Sequence, residues 1–169
     1  MGQILLTKGQ VAIVDDVNHG LLNAYKWHAI LNRDTKSFYA ARNSPSVDGK
    51  RHHIYMAREV MHAKTGEVVD HINHDTLDNR QENLRVCSSG QNNANTRMRS
   101  HNTSGFKGVC WHSGHGKWTA RLRFDRKLLH LGDFTTALEA AIVYDRAALG
   151  VFGEFALTNQ MLGLIPANK

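Results

Sequence analysis

Residues 68–95 read "VVDHINHDTLDNRQENLRVCSSGQNNAN", and the reading of this stretch decides the fold. It gathers Asp70, His71, His74, Asp75, Asp78, Asn79, Asn83, Asn92, Asn93 and Asn95. Carboxylates, imidazoles and amides at that density do not build a core, because a buried polar head costs free energy unless it is paired. "EVVDHI" (67–72) is a short apolar β-run that ends on Asp70 and His71, and "LRV" (84–86) reads as a second strand. Neighbours on an extended strand point to opposite sides, so one of the pair is free to hold a metal while the other faces a water. Asn83 stands just before the second strand, and Ser88 or Ser89 caps a helix whose first turns carry Asn92. A hairpin and a helix could thus converge on one ion.

That residue set suits phosphodiester hydrolysis. The attacking water must lose a proton, and a neutral His with a pKa near 6.5 is a competent base at pH 7. Negative charge on the phosphate and the departing oxygen must be neutralised, and a hard divalent cation with oxygen ligands does so. Asp75 and Asp78 read as turn formers that bond their own backbone, and His74 reads as an exposed loop residue. Arg85 reads either as a phosphate contact or as a surface strand residue. Asn93 or Asn95 replaces Asn92 if the helix register shifts.

The motif "DH" at 70–71, the Asn of "ENLRV" at 83 and the Asn of "SSGQN" at 92 resemble the HNH endonucleases, closest to the homing-type branch of phages and mobile introns. The resemblance implies a ββα-metal finger with His71 as general base. It implies that Asp70 and Asn92 ligate one Mg²⁺ or Mn²⁺, and that Asn83 braces the hairpin and orients His71. Asn at the last position favours a hard, oxygen-ligated ion over zinc. The two cysteines, Cys87 and Cys110, make no zinc-supporting pairs. The finger must then be held by packing and by the strands that precede it.

Those strands are read at "QILLT", "VAIVD", "YKWHAIL" and "SFYAAR", with turns at "DDVNHG", "NRDTK" and "SPSVDGK". "HHIYMAREVMHA" reads as a strand passing into a short helix. Arg42, Lys50, Arg51, His52 and His53 read as a second phosphate-contacting ribbon or as a solvated hairpin.

Beyond "RMRSHNTSG" the pattern changes. In "KWTARLRF" Trp118, Ala120, Leu122 and Phe124 alternate with Thr119, Arg121 and Arg123, giving a strand with one apolar and one basic face. "FKGVCW" and "KLLHLGDF" supply its neighbours. Positions 138, 141, 142, 148, 149 and 152 form a helical apolar stripe, opened by a Thr136–Glu139 capping box. "FKGV", "GKWTARLR", "HLGDF" and "TALEAAIVYDRAALGVFGEFALTN" resemble the Apetala-two or ethylene-response-factor type of DNA-binding domain. The resemblance implies a sheet in the DNA major groove, with Lys107, His112, Arg121, Arg123 and His130 facing the DNA. Trp111 is taken with them as a sugar-stacking residue, its alternative being packing against the helix, and Lys127 is added as a further basic contact. Cys110 and Leu128 stand where that family has arginines, Arg121 where it has an acid and His130 where it has a tryptophan. Its sequence preference therefore does not transfer.

The totals agree with a polyanion-binding chain of 169 residues, 41% apolar, with a formal net charge of +6. Eight Lys or Arg lie between Arg97 and His130 against one acid, Asp125. No apolar run is long enough to span a bilayer, and the first residues lack a secretory signal. The expectation is an α+β protein: an N-terminal β region leading into a ββα-metal finger (1–98), a linker (99–105), and a three-stranded antiparallel sheet packed on one helix (106–169). It would act on double-stranded DNA with one Mg²⁺ or Mn²⁺ per site, in the cytoplasm of a bacterial or phage-infected cell. With no obligate protein partner and one active centre, a monomer would nick. The rivals are a DNA-binding regulator with an inert finger and, more distantly, an RNA-binding module.

Overall fold

The computed structural model describes residues 1–98 and 101–166. The fold is α+β, and it divides into two compact units, Met1–Ser88 and a second that begins at Ser89. The division falls earlier in the chain than the sequence boundary after residue 98. Among the described residues, no helix is long and apolar enough to cross a membrane.

In the first unit, β1 (Gly2–Leu5) and β2 (Val11–Val14) form an antiparallel hairpin. Alternation turns Ile4, Ala12 and Val14 inward. The stretch "DDVNHG", expected as a turn, instead opens α1 (Asp16–Asn23). A tertiary contact favours the helix: Leu22 is buried against the core. Strands β3 (His28–Leu31), β4 (Phe38–Asn43) and β5 (His53–Tyr55) form an antiparallel sheet in sequence order. The chain runs straight from β5 into α2 (Met56–Val60), which buries Met56, Ala57 and Val60. The hairpin of β6 (Val68–His71) and β7 (Leu84–Cys87) follows, with Asp70 opposite Arg85 and His71 opposite Leu84.

The second unit begins with α3 (Ser89–Ala94), so strand, strand and helix follow one another in the expected order. Then come β8 (Val109–His112), β9 (Lys117–Phe124) and β10 (Lys127–Phe134), an antiparallel sheet with β9 in the centre. Asp125 and Arg126 join β9 to β10 with φ of 47° and 61°, the left-handed pair that a tight hairpin requires. Helix α4 (Ala137–Phe152) packs on one sheet face and starts with the expected capping box: Glu139 N donates to Thr136 Oγ1 at 3.2 Å, and Thr136 N donates to Glu139 Oε2 at 3.1 Å. Its buried stripe differs from the expected one. Ala140, Ala141, Tyr144, Ala148 and Phe152 face inward, while Leu138 and Leu149 are 43% and 44% exposed. Small side chains let the helix approach the sheet closely, and Tyr144 fills the gap. A Cβ at Gly108 would stand 1.9 Å from the Tyr144 ring, and Gly108 has φ of 76°. Only glycine fits there.

Of the expected linker and its basic residues, Arg99 and Ser100 lie outside the described residues. Asn102–Phe106 is a bonded turn: the Ser104 hydroxyl donates to the Val109 carbonyl at 2.9 Å, and Gly105 N donates to Asn102 Oδ1 at 2.9 Å. Residues 102–106 are thus built onto the sheet.

Candidate active site and basic sheet face

Asp70 and His71 end β6 and are only 6% and 7% exposed. Cross-strand register sets Arg85 against Asp70, and its Nε and NH2 lie 2.9 and 2.8 Å from Asp70 Oδ2. The His71 Nε2 lies 3.4 Å from Asn79 Oδ1. Asn79 is 1% exposed and firmly held: its backbone N donates to Ile13 O at 2.7 Å, and its Nδ2 donates to Leu77 O at 3.1 Å. With Nδ2 committed to Leu77, Oδ1 is the atom of Asn79 turned to the ring. Burial pushes the His71 pKa below its usual value, against the opposing pull of Asn79 and of the Asp70, Asp75 and Asp78 charges. The net direction favours the neutral ring, the form a general base requires. The edge of Tyr39 meets the His71 ring with centroids 6.2 Å apart.

Asn83 serves the loop rather than the ring. Its Oδ1 accepts from Asn73 N at 3.0 Å, and its Nδ2 donates to Asp78 O at 2.8 Å. Of the two roles expected of Asn83, its bonds serve the bracing of the hairpin loop, and Asn79 is a residue that meets the His71 ring. Asp75 and Asp78 make the expected turn bonds, accepting from Leu77 N at 3.0 Å and from Arg80 N at 3.4 Å. Asp78 is also gripped by the Arg80 guanidinium at 2.7 and 2.8 Å, which holds its carboxyl below the usual range. His74, expected in solvent, is half-buried at φ of 65°. The preceding strands do hold this loop. Ile13 N donates to Leu77 O at 2.9 Å, the Thr76 hydroxyl to Phe38 O at 2.6 Å, and Gln81 N to Asp15 Oδ2 at 2.8 Å.

Asn92 lies half-buried in α3, in the second unit, while Asp70 lies in the first. Asn93 is exposed and Asn95 buried. The Asp70 carboxylate and the Asn92 amide are hard oxygen donors, which fit Mg²⁺ or Mn²⁺ and do not fit a thiolate-seeking ion. Among the described residues, no group of three or more His, Cys, Asp or Glu is placed to hold a metal.

In the second unit, register sorts the residues expected at DNA. Arg121 pairs with His130, Arg123 with Leu128, and His112 with Lys117. His112, Arg121, Arg123 and His130 therefore share the face turned away from α4. Trp111 pairs with Trp118, and Val109 with the buried Ala120, which puts Trp111 on the α4 side, edge-on to Trp118 at 5.1 Å. Lys127, opposite Phe124, also falls off the arginine face. Asp133, opposite Thr119, lies on it as well. Its Oδ1 accepts from the Thr119 hydroxyl at 2.6 Å and lies 3.1 Å from His130 Nε2. These two contacts, Thr119 first, hold its carboxyl below the usual range.

Lys107 points into the unit. Its Nζ donates to Ala94 O at 2.5 Å and to Leu157 O at 2.9 Å, tying the end of α3 to the C-terminal segment. Burial lowers its pKa to about 8, and the Asp145 charge opposes this. The unfolded chain, with an ordinary lysine at 10.5, binds more protons than the folded one between pH 8 and 10.5, so stability rises with pH there. Both bonds survive deprotonation, because a neutral amine keeps two N–H groups. Above pH 10 Tyr144, pushed up to about 12 by burial, works in the opposite direction. Urea unfolding should gain about 1 kcal/mol between roughly pH 7.5 and pH 9.5, allowing for solvent screening. A midpoint that falls over that range would show that the ammonium is solvated.

Residues 60–94 match the family model described as HNH endonuclease. A stretch of 62 residues, 36% of the chain, is 44% identical to an AP2-like ethylene-responsive transcription factor of Arabidopsis thaliana, of which it covers 18%. It is 42% identical over 62 residues to the ethylene-responsive transcription factor WRI1 of the same plant, covering 36% of this chain and 14% of the relative. An APETALA2-like protein 2 of Oryza sativa is 44% identical over 59 residues, covering 34% and 13%. The chain spans less than a fifth of the length of these relatives, and it carries both resemblances, an HNH endonuclease segment and an Apetala-two-type segment.

Proposed function

We propose that this chain, which joins an HNH endonuclease segment to an Apetala-two-type segment, is a metal-dependent DNA endonuclease that hydrolyses phosphodiester bonds. The observation that carries the reading is the buried Asp70–His71 pair at the end of β6, within the HNH match, with the following loop fixed from three sides. His71 takes the proton of the attacking water, with Asn79 beside its ring. Asp70 would hold a divalent ion as one of its oxygen ligands, and Asn83 keeps the loop in place. A bound Mg²⁺ or Mn²⁺ supplies charge neutralisation at the phosphate and the leaving oxygen. Arg121, Arg123, His112 and His130 hold duplex DNA, phosphates first and a few base edges second. The nuclease part comprises residues 1–98 and the DNA-binding part 106–169, and one active centre per monomer makes the product a nick.

One observation favours the alternative, a DNA-binding regulator with an inert finger: the Arg85 guanidinium already sits on Asp70, the proposed ion ligand. Supercoiled plasmid decides between the two. With Mg²⁺ the full chain should convert it to the open circle, and excess EDTA should stop conversion while gel-shift binding persists. Binding without conversion in either Mg²⁺ or Mn²⁺ selects the regulator.

A further inference from the structure

One face of the β3–β4–β5 sheet lies outside the main core cluster of the first unit, with Ala41 fully buried on it. Ala29 and Ala40 point into the core from β3 and β4. The opposite face carries a ladder of polar rings. His28 and His53 meet edge to face with centroids 5.4 Å apart. Two residues along β5 from His53 stands Tyr55, on the same face. Tyr55 meets Tyr39 at 6.1 Å, and Tyr39 meets His71 at 6.2 Å. Rings of His28, His53, Tyr55 and Tyr39 thus lead step by step to the proposed base. His53 is exposed and the other three are half-buried. Among the described residues, none of these four side chains makes a hydrogen bond.

Residues 1–88 hold eleven Lys or Arg against ten acids, and the remainder hold ten against five. The first unit therefore has little net charge with which to attract DNA, and Arg42 is engaged by Glu59 at 2.9 and 3.2 Å and by the Tyr25 ring at 4.2 Å. A strand placed at His71 must be held by directional donors and ring contacts, and the ladder offers both. We propose that this face is a binding track for the DNA strand being cut, with the sugar–phosphate backbone running over His53 and Tyr55 and the Tyr39 hydroxyl donating to a phosphate oxygen beside the scissile one. The inference rests on the nuclease reading for the identity of His71, and it adds where the strand lies.

Tyr39→Phe removes the hydroxyl and leaves the ring against His71, so the fold and the base stay as they are. In plasmid nicking with Mg²⁺ it should raise KM about tenfold with little change in kcat, because the bond is made before the transition state as well as in it. The slope of log affinity against log salt should not change, since no cation is lost. In parallel, ultraviolet cross-linking of the full chain to plasmid DNA in EDTA, followed by peptide mass mapping, should mark Tyr39 or Tyr55. Wild-type KM in Tyr39→Phe, or cross-links confined to residues 107–131, overturns the track even if the wild-type protein nicks. A wild-type chain that does not nick overturns the nuclease reading instead, and the cross-link map then decides the track by itself.

Discussion

Alanine in place of Asp145 is expected to destabilise the second unit by roughly 3–5 kcal/mol. Asp145 is 6% exposed in the middle of α4. Its Oδ1 accepts from Asn159 N and Asn159 Nδ2, both at 2.8 Å, and its Oδ2 accepts from Gln160 N at 2.9 Å. Asn159, itself fully buried, then accepts from Lys107 N at 2.6 Å and donates to Lys107 O at 3.1 Å. The carboxylate is therefore the hub that seats the C-terminal segment and, through Asn159, the first residues of the sheet. Alanine strands three donors in a place water reaches poorly, and each costs about 1–3 kcal/mol. Asp145→Asn is the sharper test. Its amide oxygen still serves Asn159, but its NH2 faces Gln160 N, donor against donor, so about half of the loss should remain. Urea unfolding of the full chain measures both, and an alanine variant within about 1 kcal/mol of wild type would remove Asp145 from its place in the network.

The second large effect is catalytic. His71→Ala should slow plasmid nicking by roughly 10²–10⁴-fold, the usual contribution of a positioned general base, and leave DNA binding unchanged. Binding persists because the arginine face of β9 lies in the other unit. The pH profile separates a lost base from a damaged fold. Burial lowers the His71 pKa from its ordinary 6.5. The ascending limb of the wild-type rate should therefore level off below pH 6.5, since the neutral ring is the active form. The same shift makes the fold lose stability as pH drops from 6.5 through the lowered value, because the unfolded chain then binds the extra proton. Nicking at the wild-type rate in a folded His71→Ala variant would assign the base elsewhere.

How far the sequence could be read depended on the range of the interaction involved. The capping box at Thr136, the alternation in β9 and the turn bonds of Asp75 and Asp78 depend on neighbours within a few residues, and they stand as expected. Helix α1 is not legible in "DDVNHG" because Leu22, the residue that anchors it to the core, lies beyond that stretch. Asn79 belongs to the quoted polar cluster, yet nothing local shows that its oxygen meets His71. That follows only once β2 has fixed its backbone. Tyr39 had no signal at all, being remote from the motif in sequence and brought to it by the sheet.

By itself the sequence determined the class of the fold, the order strand, strand, helix around the Asp-His motif, and the alternation that separates arginines from core, since periodicity and residue chemistry act locally. Tertiary structure alone decided that Lys107 is an internal tie, that Trp111 and Lys127 leave the arginine face, that alanines rather than leucines line the inner side of α4, and that Asn79 and Tyr39 stand at His71. Each of these depends on which distant segment packs against the residue, and spacing along the chain carries no record of that.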